Sequence, residues 1–350
     1  MIALIYGTRP EFLKVYPILL EAKKRRLQFI TINTGQHTNI LTEMEELFDF
    51  KPDYFLKSQS NEYSNSNLLA KLIDGIAEIV KSNAIEKIIA QGDTFTVLAS
   101  SMVAFLEKKE FYHVEAGLRT DDICFPFPEE YNRRVVSLTS KINFAPTELA
   151  KNNLLKENIS EDKIILTGNT IIDLLSHVLK KEAISLEKEA TVFITAHRRE
   201  NISENMFFIC EAIKELAIEN PLITFYWSLH PNPKTREFIF KTFDDVPQNI
   251  KFIEPLNYIE AVKLMAKSLL IISDSGGIQE EAPTLQKRVI ILREETERPE
   301  VLACGCGVLV GANKQMIKDE FYNELQKGNN NFINPFGNGN ASQLILDHLL

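Results

Sequence analysis

Residues Ser273–Pro283, which read Ser-Asp-Ser-Gly-Gly-Ile-Gln-Glu-Glu-Ala-Pro, are the most informative about the fold of this chain. This stretch follows an apolar run, Leu269–Ile272, that is typical of a buried parallel strand. The Ser-Gly-Gly turn then opens a predicted helix. A strand, a small-residue turn and a helix N-terminus bring free backbone N–H groups and the positive end of the helix dipole to one point, which suits a phosphate. The stretch predicts a nucleotide-diphosphate site, although alone it fits an ordinary strand-to-helix turn equally well.

On both sides of this stretch, short apolar runs alternate with amphipathic helical patterns along almost the whole chain. This alternation predicts an α/β protein with parallel sheets and helices on both faces. Strands of a first unit are expected at 2–6, 29–33, 87–90, 111–114, 142–145 and 164–167, and those of a second at 192–195, 223–228, 250–253, 269–273, 289–292 and 308–310. The charged, strandless interval 174–190 separates them. Two doubly wound, Rossmann-like domains of this kind place a ligand cleft between the carboxyl edges of their sheets.

Length and composition set limits on the function. With 350 residues, 45% hydrophobic and 25% charged, the chain has the size of two domains and the composition of a soluble globular protein. A net charge of -9 argues against a nucleic-acid partner. The four cysteines are scattered, so we expect reduced thiols in a cytoplasmic protein. The apolar N-terminal run is only one strand long, so we expect no signal peptide, and no run approaches membrane-spanning length.

Basic residues follow the first predicted strand. Arg9 and Lys14 lie one helical turn apart after the Gly7-Thr8 turn, so both could face the cleft. The alternative for Arg9 is a surface ion pair with Glu11 that has no part in ligand binding. The spacing is not Gly-x-Gly-x-x-Gly, so a tightly bound NAD is disfavoured. No His-x-x-x-His or Cys-x-x-Cys pattern occurs either, and we expect neither a metal nor a cofactor.

Carboxylates follow the next strands of the first unit. Asp93 and Glu115 stand at strand ends, where a buried charge is costly unless it is paired or functional. Glu129 begins a helix after a proline-rich loop, a position that the helix dipole alone would favour, and Arg133 supplies a counter-charge on that helix. Three carboxylates in one cleft could act as proton donor, proton acceptor and orienter, because crowding separates their pKa values. In the second unit, His197 follows the first strand, where it could donate a proton to a leaving phosphate.

Together these segments resemble the non-hydrolysing UDP-N-acetylglucosamine 2-epimerases. The matching stretches run in the family's order and are GTRPE at 7–11, GDT at 92–94, HVEAGLRT at 113–120, PFPEE at 126–130, TGNT at 167–170, TAHRREN at 195–201, HPNP at 230–233, SDSGGIQEEAP at 273–283, TERPE at 296–300 and NPFGNGNAS at 334–342. The resemblance implies the GT-B architecture, with the last helix returning to the first domain. The implied domains are residues 1–168 with 338–350, and residues 169–337.

The resemblance also implies roles for individual positions. The residues implied are Asp93, Glu115 and Glu129 for proton transfer around carbon 2 of the sugar, His197, Arg298, Ser275, Gly276 and Gly277 for the diphosphate, Arg9, Lys14 and Arg133 for lining the site, Glu281 for the ribose and Leu256 for the uracil. Three positions depart from the family. Gln91 replaces a frequent His, Thr38 a basic residue near an activating second nucleotide site, and Ala261 a Phe of some members. The departure at Thr38 puts activation by a second nucleotide in doubt.

The implied reaction is the reversible epimerisation of UDP-N-acetylglucosamine by elimination and readdition of UDP. The hydrogen on carbon 2 is not next to a carbonyl, so UDP must leave before a base can take that proton. Two other classes stay open, together with an epimerase of a further modified UDP-sugar. A GT-B glycosyltransferase would need only one base, and a silent binding protein would lack the acids of the first half. The expected partners are a UDP-sugar and a second copy of the chain, with no nucleic acid and no membrane insertion.

Overall fold

The computed structural model describes residues 1–36, 38–57, 64–120, 122–196, 204–243, 245–327 and 330–349. They form two compact units, Met1–Leu174 with Phe336–Leu350, and Leu175–Pro335. Each unit is a parallel sheet with helices between its strands, so the predicted class of two doubly wound α/β units is confirmed. Within the described ranges, no helix is both long and apolar enough to cross a lipid bilayer.

The first unit has a seven-stranded parallel sheet. Its strands are β1 (Ile2–Tyr6), β2 (Phe29–Asn33), β3 (Tyr54–Phe55), β4 (Lys87–Gln91), β5 (Glu110–Val114), β6 (Ile142–Ala145) and β7 (Ile164–Leu166). Its helices are α1 (Arg9–Lys24), α2 (Thr38–Leu47), α3 (Asn65–Ser82), α4 (Phe95–Leu106), α5 (Glu129–Thr139), α6 (Glu148–Lys156) and the start of α7 (Thr170–Lys181). The strand order β3-β2-β1-β4-β5-β6-β7 makes β1, β4 and β5 neighbours at its centre.

The second unit has a six-stranded parallel sheet in the order β10-β9-β8-β11-β12-β13. Its strands are β8 (Thr191–Thr195), β9 (Thr224–Ser228), β10 (Ile250–Ile253), β11 (Leu270–Ser273), β12 (Val289–Ile291) and β13 (Gly307–Leu309). Its helices are α8 (Glu204–Glu219), α9 (Pro233–Thr242), α10 (Tyr258–Lys267), α11 (Gly276–Glu281), α12 (Glu300–Ala303) and α13 (Lys314–Gln326). The central β11 is fully buried, as its continuous apolar run predicts.

The C-terminal helix α14 (Ala341–Asp347) belongs to the first unit, as the resemblance implied. The carboxylate of Asp173 accepts hydrogen bonds from the N–H groups of Ala341 and Ser342, over 3.2 and 2.8 Å, and so caps the helix. At the other end, Arg25, which directly follows α1, donates to Asp347 over 2.6 Å. These contacts therefore fasten α14 to α7 at one end and to the residue after α1 at the other.

The compact units divide the chain at other positions than the sequence predicted. We expected domain boundaries at 168 and 337, whereas the chain passes from one compact unit to the other after Leu174 and after Pro335. The first turn of α7 lies in the first unit because the N–H of Asn169 donates to the carbonyl of Phe336 over 2.7 Å. The cap that Asp173 forms on α14 holds the same turn in place.

Candidate active site

The turns that follow β1, β4 and β5 lie side by side, because these strands are neighbours in the first sheet. Hydroxyl groups start the helices after the first two turns. Thr8 caps α1, and Thr94 caps α4 by accepting the N–H of Thr96 over 3.1 Å. These caps place Arg9 at the first position of α1 and Asp93 just before α4. The predicted basic and acidic residues of the first unit thus share one edge of the sheet.

Glu115 is buried and has a backbone conformation that is unusual for a side chain of its size. Its φ of 64° lies in the left-handed region, which costs ~1–3 kcal/mol for a non-glycine residue and clusters at functional sites. Its carboxylate accepts hydrogen bonds from Lys14 Nζ over 2.5 Å, from Asn169 Nδ2 over 2.8 Å and from Gln91 Nε2. Three donors suit an ionised carboxylate, which can only accept. The departure at Gln91 therefore keeps a donor on Glu115.

Two residues of helix α5 donate hydrogen bonds to Asp93. Arg133 Nε donates to Asp93 Oδ2 over 2.8 Å, and Asn132 Nδ2 donates to the carbonyl of Asp93 over 2.7 Å. Arg133 also contacts the fully buried Glu130, whose Oε2 lies 3.3 Å from Nη1. The neighbouring Glu129, at the first position of α5, is half-buried. Within this unit Arg133 thus pairs with Asp93 and Glu130. Its contact with the substrate stays a prediction.

Two buried polar residues support these turns and were not singled out from the sequence. His113 on β5 donates from Nε2 to the carbonyl of Gly92 over 2.7 Å, and burial lowers the pKa of His113 to about 4, so the ring is neutral. Glu11 accepts from the N–H groups of Gly7 and Thr8 over 2.7 and 2.9 Å and from the hydroxyl of Thr94. Burial raises the pKa of Glu11 to about 7, against the opposite effect of these hydrogen bonds.

The predicted phosphate cradle lies after β11 in the second unit. Ser273 Oγ accepts the N–H of Ser275 over 3.0 Å, which shapes the turn before α11. At Gly276 a Cβ would lie 2.6 Å from Arg298 Nη1, so the glycine makes room for the guanidinium group. Arg298 Nε donates in turn to the buried Glu280 over 2.6 Å. The structure therefore brings Arg298 against the cradle, and sequence reasoning had missed its partner Glu280.

The predicted ribose ligand, Glu281, lies at the end of α11 and is buried. Tyr258 donates its hydroxyl hydrogen to Glu281 Oε1 over 2.8 Å, and burial raises the pKa of this tyrosine far above its usual range. Leu256, the predicted uracil contact, is half-buried two residues before Tyr258. Tyr258 was not predicted, although its place at the start of α10, two residues after the predicted Leu256, is visible in the sequence.

Two predictions concern positions that the structure does not describe in full. His197 lies outside the described residues, as does the side chain of Thr38, which begins α2. Their suggested roles stay predictions. Among the described ranges, no group of three His, Cys, Asp or Glu side chains is placed to hold a metal ion.

Comparison with known proteins identifies the family. The model of the family described as UDP-N-acetylglucosamine 2-epimerase matches residues 20–350. The chain belongs to the UDP-N-acetylglucosamine 2-epimerase family. Similar proteins of that name come from Neisseria meningitidis, at 41% identity over 99% of this chain and 98% of the relative, and from Campylobacter jejuni, at 36% identity over 100% and 97%. The resemblance drawn from the sequence is thus confirmed.

Solved structures of other UDP-N-acetylglucosamine 2-epimerases share the fold. The structure of the Neisseria meningitidis enzyme bound to UDP-GlcNAc has a TM-score of 0.89 and 39% identity, covering 99% of both chains. The Methanocaldococcus jannaschii enzyme in complex with UDP-GlcNAc and UDP has a TM-score of 0.84 and 36% identity, again covering 99% of both chains. This member of the epimerase family thus shares the fold of these enzymes over 99% of its length.

Proposed function

We propose that this protein catalyses the reversible epimerisation of UDP-N-acetylglucosamine to UDP-N-acetylmannosamine by elimination and readdition of UDP, which supplies precursors of cell-surface polysaccharides. One observation carries the proposal. The chain keeps both sets of residues that the reaction needs, namely paired carboxylates on the first sheet and a cradle with Arg298 and Glu281 on the second. A glycosyltransferase needs no second carboxylate, and a silent binding protein needs none.

The reaction starts with the loss of UDP. The bond between carbon 1 and oxygen breaks, its electron pair leaves with the diphosphate, and positive charge develops on the ring. Arg298, Arg9 and the N–H groups at the start of α11 stabilise the departing charge, which is the largest demand of this step. We also assign His197 to this group, as the proton donor to the leaving diphosphate.

Proton transfer at carbon 2 follows. A carboxylate takes the proton, which gives a glycal and bound UDP, and protonation from the opposite face before readdition of UDP inverts the centre. Glu115 pairs with Lys14 and Asp93 pairs with Arg133, and both carboxylates are candidates for the base that accepts this proton. Glu129, half-buried on α5, is the third candidate for this exchange. The reversible reaction needs a base for each epimer, and this set provides it.

We further propose that the protein is a cytoplasmic homodimer. Helices α4 and α5 pack against each other, and their ends expose large apolar side chains. Phe105 and Leu138 are 68% and 71% exposed, and Leu106 and Tyr131 are also exposed. Exposed apolar groups on adjacent helices are typical of a surface that a partner covers. The free state of all four cysteines agrees with the reducing interior of a cell.

Turnover in deuterated water tests the function. Incubation with UDP-N-acetylglucosamine should give the manno epimer with deuterium at carbon 2, and an 18O label in the bridging position should scramble into the β-phosphate. The variants Asp93→Asn, Glu115→Gln and Glu129→Gln should each lose about 10²-fold in turnover. Epimer without deuterium or scrambling would contradict the elimination mechanism. Binding without turnover would favour a modified UDP-sugar as the substrate or a glycosyltransferase that lacks its acceptor.

A further inference from the structure

Glu11 is a buried carboxylate that none of the roles proposed above uses. It lies in the first turn of α1 and is only 2% exposed. Its Oε2 accepts the N–H of Gly7 over 2.7 Å and that of Thr8 over 2.9 Å. Its Oε1 accepts the hydroxyl of Thr94, which lies 83 residues further along the chain. One side chain thus contacts the turn after β1 and the turn after β4.

These two turns carry residues of the proposed reaction. Arg9 directly follows Thr8, and Asp93 directly precedes Thr94. The turns are also packed tightly, because a Cβ at Gly7 would lie 2.1 Å from Thr34 Oγ1 and 2.4 Å from Thr96 Oγ1. Since Thr94 also caps α4, its hydroxyl ties Glu11 to the start of that helix. A change at Glu11 therefore reaches both turns.

We propose that Glu11 is a positioning residue of the epimerisation reaction, whose carboxylate holds the Arg9 turn and the Asp93 turn in one fixed arrangement. The inference rests on the proposed function. A diphosphate ligand and a proton-transfer group must reach the same substrate with an accuracy of about 1 Å, and a looser arrangement costs rate. A rigid link between their two turns meets this need without touching the substrate.

The alternative is that Glu11 only caps α1. Together with Thr8 it does form a capping box, which satisfies N–H groups at the helix start. A cap, however, needs neither complete burial nor a partner on another element. Burial of the charge is unfavourable, as the raised pKa of Glu11 shows, and the contact with Thr94 adds nothing to the cap. Both features are explained if the carboxylate also serves the turn after β4.

The test compares kcat with amide hydrogen exchange in four variants of the full chain. Glu11→Ala removes every contact, whereas in Glu11→Gln the amide oxygen can accept the two N–H groups and the amide N–H can donate to Thr94. Thr94→Val breaks the link on the side of α4 together with the cap on the N–H of Thr96, and the fourth variant combines Glu11→Ala with Thr94→Val. Glu45→Ala is the matched control, because Glu45 is also a buried carboxylate with two donors, Tyr6 at 2.6 Å and Asn33 at 2.7 Å.

Glu11→Ala should lower kcat by about 10-fold or more, since small misplacements cost that much, and should speed exchange in both 7–14 and 92–98. Glu11→Gln should stay within about threefold of the wild type because its hydrogen bonds are rebuilt. Thr94→Val should lower kcat as well, and the double variant should be no worse than the more severe single one. Glu45→Ala should speed exchange around its own partners but keep kcat within about twofold.

Two results would overturn the proposal. The first is a folded Glu11→Ala variant with kcat within about twofold of the wild type, because Glu11 would then only cap the helix. The second is faster exchange confined to 7–14, because the two turns would then not be linked. If Glu11→Ala does not fold, Thr94→Val decides by the same two measurements. A wild type that does not epimerise, with both segments loosened by Glu11→Ala, would contradict the proposed function and still support the link.

Discussion

At the scale of single residues, each of two carboxylates in the candidate site has a cation as its neighbour. Glu115 pairs with Lys14 at 2.5 Å, and Asp93 pairs with Arg133 at 2.8 Å. Both pairs are largely buried, where a carboxylate without its partner would be costly to desolvate. The pairing therefore offsets the cost of placing two carboxylates at this edge of the sheet.

The raised pKa of Glu11 gives a prediction on stability. Its pKa is about 7 in the folded protein and about 4.5 in the unfolded chain, so the folded state prefers the protonated form. The stability due to this group is complete below pH 4.5 and is lost as the pH rises through 7, by up to ~3 kcal/mol. We expect Glu11→Gln to gain stability over the wild type as the pH rises from 5 to 8.

Urea unfolding followed by circular dichroism at several pH values measures this difference. Trp227 is the only tryptophan and lies in the second unit, so its fluorescence gives an internal reference that Glu11→Gln should leave unchanged. Glu45→Gln is the control in the first unit. It leaves Glu11 in place, so the loss of stability that Glu11 causes between pH 5 and 8 should be the same as in the wild type. A constant difference between wild type and Glu11→Gln from pH 5 to 8 would contradict the prediction.

At the scale of elements, one short helix carries the predicted diphosphate and ribose ligands of the second unit. Helix α11 has six residues, begins at the cradle and ends with Glu281. Its Gln279 accepts a hydrogen bond from Thr296 over 2.6 Å, and Thr296 accepts the N–H of Arg298 over 3.1 Å. Helix α11 thus carries the cradle and, through Gln279, also contacts the loop that contains Arg298.

Gly276→Ala should weaken the binding of UDP by about tenfold, because the new Cβ would displace the Arg298 guanidinium group from 2.6 Å away. Calorimetry with UDP measures the effect. At Gly277 a Cβ meets nothing closer than 4.0 Å, so Gly277→Ala separates the causes. Loss of affinity only in Gly276→Ala indicates a displaced arginine, and loss in both indicates that the ligand itself approaches the turn. Unchanged affinity in Gly276→Ala would show that Arg298 does not contact UDP.

At the scale of the whole molecule, each compact unit carries one half of the proposed chemistry. The carboxylates Asp93, Glu115 and Glu129 belong to the first unit, and Arg298 and Glu281 belong to the second. A substrate with a sugar at one end and a nucleotide at the other suits this division. That both sets face one cleft stays a prediction.

The proposed homodimer is tested by one exposed residue. Leu138→Lys places a charge in the apolar face of α4 and α5, where burial against a partner would be unfavourable. We expect sedimentation to show a dimer for the wild type and a monomer for the variant. Leu222→Lys is the control, since Leu222 is 89% exposed but lies in the second unit, outside this face. A wild-type monomer, or a variant that stays dimeric, would contradict the proposal.

Much of this protein follows from its sequence alone. Strands that are buried on both faces need continuous apolar runs, so nearly every strand of both sheets was predictable, and β3 was missed because two residues carry no pattern. The positions of Asp93, Glu115 and the cradle were predictable too. Ligands bind where parallel strands end, and charged or glycine-rich turns at those places are visible in the sequence.

The partners of these residues were decided by the tertiary structure. Lys14 meets Glu115 across 101 positions, and Asn169 meets it across 54, because the sheet order brings distant turns together. Glu11 and Tyr258 were missed for the same reason, since their roles depend on hydrogen bonds to Thr94 and Glu281. Hydrophobic periodicity records which side of an element is buried, but a hydrogen bond between two polar groups depends on where separate elements meet, and only the folded chain determines that.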